Sequence, residues 1–567
     1  MLIVDDWKMT DSLKKIATLF LFLIFAIVLY KYTLKEPYHF DSVLYMKSVD
    51  VFKETSRFEC FFGARCLSSY ILIPFSIFIG AKTLPATTVI TALLALFFYY
   101  LWIRRIFSFN EGFLAALLFF FIPASIITIT HVKEDFTAFM FLFAAFLMAS
   151  KDKPSFLRPA SGLCFGLALV SKDMPIIFVP FYFSYLYIMG AEIEQSYKKL
   201  LTKENIIIGC KNILTALLLS LIVSFAIDRH HFIDLFHKTA SPYDGQFMGV
   251  FSQILPIGLA SWEHGVGSFL FYLQFVSLIA PFFAKTKKET LIYILFCIQF
   301  IALSIFISNL TVVKYRHFVW TSFLCLPPML FTVRSFFMGF KLSKRITVSV
   351  LYVVFVATAA ALFWSTYPAL DLHSRYNTVS AIYKNSDIDK NNSVVSGVDD
   401  CVFARYFNGL TCVVHPIDPT ESEASDFSQE IDKYLDERKN VYILPDFFSY
   451  DRYKNMEKQF VPKFKFLTGK NVLYSDFHYM DYGFTLKQYE HKLSHTYSVR
   501  TGSQCGAPYN KTAEETIKDE HGQPLPFEIY TYNIMCTRVS TAVKVYVYKH
   551  RVITDLNMGM IVKVERP

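Results

Sequence analysis

A chain of 567 residues that is 54% hydrophobic and only 18% charged, with a mean hydropathy of +0.37, is too apolar for a soluble enzyme of that size and points to the bilayer as its solvent. The net charge of +9 comes from basic residues spread in small groups between apolar runs, which is a topology signal and argues against a nucleic-acid partner. The 60 Phe and 34 Tyr suit lipid, where rings fill packing gaps and anchor helices at the interface.

In chain order, Met1–Lys15 carries Asp5, Asp6 and Asp11 among its lysines, and no small-residue cleavage site follows the first apolar run. That run, 16–32, is therefore expected to be a retained span and not a removable signal. Further runs approaching the ~20 residues that cross a hydrocarbon core predict spans near 84–103, 112–130, 135–150, 157–171, 174–190, 204–227, 266–284, 289–308, 316–335 and 346–364. This gives a polytopic α-helical membrane protein of about eleven spans. With Met1 in the cytoplasm, every even-numbered loop is basic: Arg104/Arg105, Lys151/Lys153, Lys198/Lys199/Lys203, Lys285/Lys287/Lys288, and Arg334/Lys341/Lys344/Arg345. The positive-inside rule then puts the loops 33–83 and 228–265, and everything after Trp364, outside the cytoplasm. The sequons at Asn309, Asn391 and Asn510 fall on that side, as do six of the 10 cysteines (Cys60, Cys66, Cys401, Cys412, Cys505, Cys536). Six is an even number that permits disulfides there, while unpaired thiols remain the alternative.

Within 33–83, Cys66–Gly80 is apolar yet too short to cross without inverting every later loop, so it is expected to lie along the membrane surface, as is Phe40–Phe52. Past Leu370 the spans cease, and 366–567 reads as a soluble extracytoplasmic α/β domain. Short strands are expected at 393–398, 411–415, 441–444 and 541–548, with helices at 401–408 and 426–439. Acceptor binding and a structural lid are the two roles open to it.

Ionisable groups at membrane depth are costly, so acids and bases at the outer ends of spans are candidates for function. Asp41 precedes an apolar-periodic run and fits either a helix N-cap or a catalytic carboxylate. His131-Val-Lys133-Glu134-Asp135 forms a turn between two spans, readable as a solvated cap or as part of a site. Lys172 in Ser171-Lys-Asp-Met-Pro175 either meets an anion or merely flanks the helix ends, and the basic group Lys314-Tyr-Arg316-His317 is either a snorkelling pair or a phosphate clamp. The loop 228–265 holds four histidines, with Glu263 and His264 at its end. A divalent metal is conceivable there, but no H-E-x-x-H or similar ligand motif supports one, and no cofactor is indicated. Nucleotide-binding loops and nucleophile elbows are also lacking.

The order of these features resembles the GT-C class of membrane glycosyltransferases, which includes the protein O-mannosyltransferases and the lipid A aminoarabinose transferases. The likeness spans residues 10–365. Its carriers are Asp41 early in the first outer loop, the apolar stretch to Gly80, a span ending in Arg104/Arg105, Phe121-Ile-Pro123, Glu134/Asp135, Lys172-Asp-Met-Pro175, and Arg316-His-Phe before the Pro327-Pro328 span. One departure is that Asp41 is followed by Ser42, with the next acids at Asp50 and Glu54, where many relatives have two adjacent acids.

The resemblance implies a catalytic module at 1–365 that takes a sugar from a polyprenyl- or dolichyl-phosphate donor. The sugar would pass to a lipid, glycan or protein hydroxyl on the outer face of a bacterial inner membrane or the endoplasmic reticulum. It casts Asp41 as general base, with Glu134 or Asp135 positioning base or acceptor. Lys172 and Arg316, with Lys133 and Arg65 in reserve, would bind the donor phosphate. His131, Glu263, His264 and His317 would serve the acceptor or secondary contacts. A secondary transporter or lipid flippase is the alternative; such proteins usually show repeats and broken helices meeting at the midplane.

Overall fold

The computed structural model describes residues 11–33, 83–130, 135–150, 156–172, 174–191, 197–227, 265–308, 318–339, 343–375, 388–397, 409–414, 421–444, 471–479, 485–490, 509–513, 528–535, 540–554 and 560–566, together with short pieces near 48–56, 67–74, 262–263, 401–405 and 493. Each of the eleven apolar runs is helical. They form α1 (Asp11–Thr33), α2 (Thr83–Ile106), the pair α3 (Phe109–Phe121) and α4 (Pro123–Thr130), α5 (Asp135–Ala149) and α6 (Leu157–Ser171). There follow a 3₁₀ turn (Met174–Phe178) leading into α7 (Val179–Gly190), α8 (Lys203–Ile227), α9 (Ser268–Gln274) with a 3₁₀ extension (Phe275–Phe283), α10 (Lys287–Ser308), α11 (Val319–Gly339) and α12 (Lys344–Arg375). Six of these are long and apolar enough to cross a membrane, and the α3–α4 pair, bent by 70°, makes a seventh if counted as one span. The others are apolar but shorter. The bend falls where Pro123 lacks the N–H that would continue α3.

In lipid, helices gain little from burying apolar surface against one another, so close packing and polar contacts must hold them. The α6–α8 seam does both. A Cβ on Gly162 would lie 2.1 Å from the Ala216 carbonyl oxygen, and one on Gly166 would lie 2.6 Å from that of Ser220. Two glycines four apart thus let the backbones touch. The Ser220 hydroxyl donates to the Gly162 carbonyl at 2.7 Å, and Ser224 donates to that of Gly166 at 3.2 Å. Elsewhere rings fill the core: Trp102 stacks on Phe296 at 5.6 Å while its indole N–H donates to the Tyr185 hydroxyl at 3.1 Å.

Two basic residues counted as loop charges have specific partners. Lys288 donates to the Met189 and Ala191 carbonyls at 3.1 and 3.3 Å, capping the end of α7. Arg334 is not in a loop at all. It lies inside α11, buried, with its guanidinium 2.7 Å from the Glu111 carboxylate. Ser108 and Glu111 occupy the N-cap and third positions of α3, a capping-box spacing. Ser108 accepts from the Asn110 amide at 3.2 Å and donates to Glu111, and Tyr352 of α12 donates to Asn110 Oδ1 at 3.1 Å. Three helices are thereby joined at the end that carries Arg104 and Arg105.

Between α1 and α2, the described parts of both expected surface helices are helical, and Val49, Leu67 and Ile73 are buried. The last helix continues to Arg375, past the expected boundary at 365. The tail is α/β. A five-stranded sheet has the order β2 (Thr411–Val414), β1 (Ser393–Gly397), β3 (Asn440–Ile443), β9 (Met560–Glu565), β4 (Asn471–Tyr479). The β1–β2 and β1–β3 pairs are parallel, and β9 runs antiparallel to β3 and β4. The helix α13 (Glu421–Asp436) connects β2 to β3. A second, antiparallel sheet runs β5 (Tyr509–Ala513), β6 (Glu528–Met535), β7 (Ser540–Tyr548), β8 (Arg551–Thr554). A Cys401–Cys412 disulfide, with Cα atoms 5.5 Å apart, ties the piece after β1 to β2. Cys60, Cys66, Cys505 and Cys536 lie outside the described residues.

Replacing Gly162 with Val should force α6 and α8 apart and sharply lower the melting temperature of the detergent-purified protein. Ser220→Ala, which removes only a hydroxyl, should cost about 0.6 kcal/mol.

Candidate functional site

The α5 and α6 helices run antiparallel, which puts the start of one beside the end of the other. Asp135 is the first residue of α5, and Lys172 immediately follows the last residue of α6, in extended conformation (φ −164°, ψ 156°). Each charge complements the helix end that bears it, the acid at an N-terminus and the ammonium at a C-terminus. The two meet directly, Lys172 Nζ lying 2.8 Å from Asp135 Oδ1, with side chains 9% and 2% exposed. The second carboxylate oxygen, Oδ2, is buried and has no hydrogen-bond partner among the described residues.

A buried carboxylate with one oxygen committed to an ammonium and the other uncommitted is preorganised to accept a hydrogen bond. Because the ammonium is held in place by that oxygen, the pair also fixes a positive charge at the helix ends. The site lies at the bundle end opposite the one bearing Arg104, Arg105 and the Glu111–Arg334 pair.

A second group of side chains reaches the same end. Trp262 donates its indole N–H to Gln274 Oε1 at 3.2 Å, and Gln274 donates to the Ser322 hydroxyl at 3.4 Å. The Trp262 ring stacks on Phe318, with centroids 5.5 Å apart and planes within 4°. Glu263 is therefore half-buried beside the start of α11, and its carbonyl accepts from the Gly267 amide at 2.7 Å. Gly267 has φ +92°, a conformation that strongly favours glycine.

At the second residue of α11, Trp320 packs its ring 4.1 Å from Phe139 and 5.9 Å from Phe178. Phe139 is one turn along α5 from Asp135, and Phe178 closes the 3₁₀ turn that follows Lys172. Trp320 thus wedges between the two segments that carry the ion pair, and its indole nitrogen is buried without a hydrogen-bond partner among the described residues.

The structure brings together Asp135 and Lys172, which were expected in separate roles, and sets Glu263 on the segment packed against the start of α11. Asp41, Arg65, His131, Lys133, Glu134, His264, Arg316 and His317 lie outside the described residues. Trp262, Gln274 and Trp320 were not singled out from sequence; the available signal was the run of aromatics directly after Arg316-His317. Among the described residues, no three His, Cys, Asp or Glu side chains group as metal ligands.

No protein-family profile matches the sequence, and no curated protein matches it either. Solved structures with a similar course of the chain include the oligosaccharyltransferase of Archaeoglobus fulgidus, at 12% identity and a TM-score of 0.41, covering 76% of this chain and 69% of that one. The ArnT protein of Cupriavidus metallidurans bound to undecaprenyl phosphate is similar at 10% identity and a TM-score of 0.47, covering 79% and 95%. Its apo form gives 13% and 0.43. These are distant likenesses in the course of the chain alone.

Removing one member of a buried ion pair strands the other. Lys172→Met is accordingly expected to destabilise the protein by about 3–5 kcal/mol, and the double variant Lys172→Met/Asp135→Leu by less than the sum of the two single changes. Unfolding of detergent-solubilised protein, measured as a double-mutant cycle, checks this.

Proposed function

We propose that the chain is a membrane glycosyltransferase of the GT-C kind, moving a sugar from a polyprenyl- or dolichyl-phosphate donor to an acceptor hydroxyl at the outer membrane boundary. The observation that carries it is the buried Lys172–Asp135 pair, whose Oδ2 has no partner among the described residues, placed at the span ends that the charge bias assigns to the outside. The order of acidic and basic features along the sequence supports the same reading.

In this reaction the acceptor oxygen attacks the anomeric carbon as the bond from that carbon to the phosphate oxygen breaks. The acceptor proton passes to a carboxylate, and the polyprenyl phosphate leaves carrying the negative charge. Asp41 takes the proton. Glu134 or Asp135 orients the acceptor or the base, and the free lone pairs of Asp135 Oδ2 suit that task. Lys172 and Arg316 meet the phosphate, with Lys133 and Arg65 supporting them; fixed cations at a site of low dielectric stabilise a departing anion more than water does. His131, Glu263, His264 and His317 border the acceptor.

A transporter or lipid flippase is the second reading, and the 70° break between α3 and α4 is the observation in its favour, because broken helices mark many transport sites. Transfer of label from radiolabelled polyprenyl-phosphate sugars to membrane extracts by the purified protein separates the two. Transfer by the wild type, with Asp41→Asn slower by about 10²–10⁴-fold, is expected. Normal transfer by Asp41→Asn removes that residue from the mechanism, and absence of transfer with every donor favours transport.

A further inference from the structure

The helix α11 carries two consecutive prolines in its interior, Pro327 and Pro328, and runs helical through both. Neither has an N–H, so the carbonyls four residues earlier, those of Phe323 and Leu324, lose their intrahelical donors. In a bilayer a carbonyl left in that state is costly, because no water replaces the donor, and prolines are tolerated in spans where neighbouring groups make good the loss. Here another helix does so: the Tyr99 hydroxyl of α2, fully buried, donates to the Phe323 carbonyl at 2.8 Å.

The missing bonds divide α11 into two parts with different attachments. The part toward Gly339 is fastened at the end of the bundle that bears Arg104: Arg334 pairs with Glu111 at 2.7 Å, and the Phe331 ring lies 5.0 Å from that of Tyr293. The part from Val319 to Leu326 belongs to the candidate site. Trp320 packs on Phe139 and Phe178, and the Phe323 ring lies 5.4 Å from Phe178 and 5.0 Å from Phe143. Apart from the long Gln274–Ser322 contact of 3.4 Å, these are ring packings, which tolerate sliding, whereas a short hydrogen bond sets one distance and direction. The Tyr99 bond is therefore the contact that fixes the depth and tilt of this part.

We propose that Pro327-Pro328 is a hinge, and that Tyr99 is the positioning residue that seats the Val319–Leu326 part of α11, with Trp320, against the segments bearing Asp135 and Lys172. Release of the Tyr99 hydroxyl lets that part tilt about the prolines and carries Trp320 away from Phe139 and Phe178, while Arg334 holds the rest of the helix in place. The hinge itself is independent of the chemistry; its part in turnover rests on the glycosyltransferase reading.

Hydrogen–deuterium exchange of the full-length protein in detergent, read by mass spectrometry on peptides of α11, tests the hinge. Tyr99→Phe keeps the ring and removes the hydroxyl. It should speed exchange in 319–326 about fivefold, the worth of one hydrogen bond, and leave 329–339 unchanged. Pro327→Ala returns an N–H to the Phe323 carbonyl, so in that background the Tyr99→Phe effect should vanish. Equal acceleration of both parts overturns the proposal, as does acceleration of neither, or a Tyr99→Phe effect that persists undiminished in the Pro327→Ala background. Transfer from a radiolabelled polyprenyl-phosphate sugar tests the role in turnover: Tyr99→Phe should lower kcat/KM about fivefold, and the double variant with Pro327→Ala should recover it. Wild-type transfer by Tyr99→Phe, with the exchange pattern intact, overturns the positioning role. Absence of transfer by the wild type, with the same exchange pattern, counts against the reaction and not against the hinge.

Discussion

Charge inside a low-dielectric bundle must be matched or it is expelled, and this constraint organises the molecule at both of its ends. Asp135 meets Lys172 at 2.8 Å, and Glu111 meets Arg334 at 2.7 Å. In each case the acid sits in the first turn of a helix and the base belongs to another helix. The helix dipoles favour the placement of the acids, and the counter-charges prevent the desolvation penalty from forcing the side chains outward. Neither pair is a strong source of net stability, because dehydrating two ions offsets most of their attraction. Their effect is on register: each ties two helix segments, distant in sequence, at one depth.

The two pairs differ in what surrounds them. Glu111 has both carboxylate oxygens engaged, one by Arg334 and one by Ser108. Among the described residues, Asp135 leaves one oxygen without a partner, and the nearby Trp320 leaves its indole N–H in the same state. A fully satisfied pair suits a joint, whereas a partly satisfied one suits a place where another molecule is to be held. The same contrast separates the end where helices are fastened together from the end where chemistry is proposed.

Much of the helical layout was legible because hydrophobicity and basic loops are direct readouts of bilayer thickness and membrane charge bias. The 16–32 run lies within Asp11–Thr33, and the 135–150 run became Asp135–Ala149 almost unchanged. The partners were not legible. Arg334 looked like one more flanking base, since nothing local says that Glu111, more than 200 residues earlier, lies beside it. Asp135 and Lys172 were each recognised as unusual, but their pairing depends on α5 and α6 being antiparallel neighbours of matched length. The small-residue faces of α6 and α8 went unnoticed because Gly and Ser in apolar runs read only as weaker hydrophobicity. In the tail, Ser393–Gly397 and Ser540–Tyr548 were visible from their β-branched content, whereas Met560–Glu565 was not, lying after a turn that carried no strand signal.

That last strand has a consequence for biogenesis. Because β9 lies between β3 and β4 and is antiparallel to both, β4 has no neighbour in the five-stranded sheet until Glu565 has left the ribosome. The helices up to Arg375 are free to insert and pair during synthesis, and β1, β2 and β3 can pair with one another, but one edge of β3 and the strand β4 must wait. Completion of this sheet is thereby a late event, and its nascent form is the stage at which quality-control factors that bind exposed strands would engage the chain.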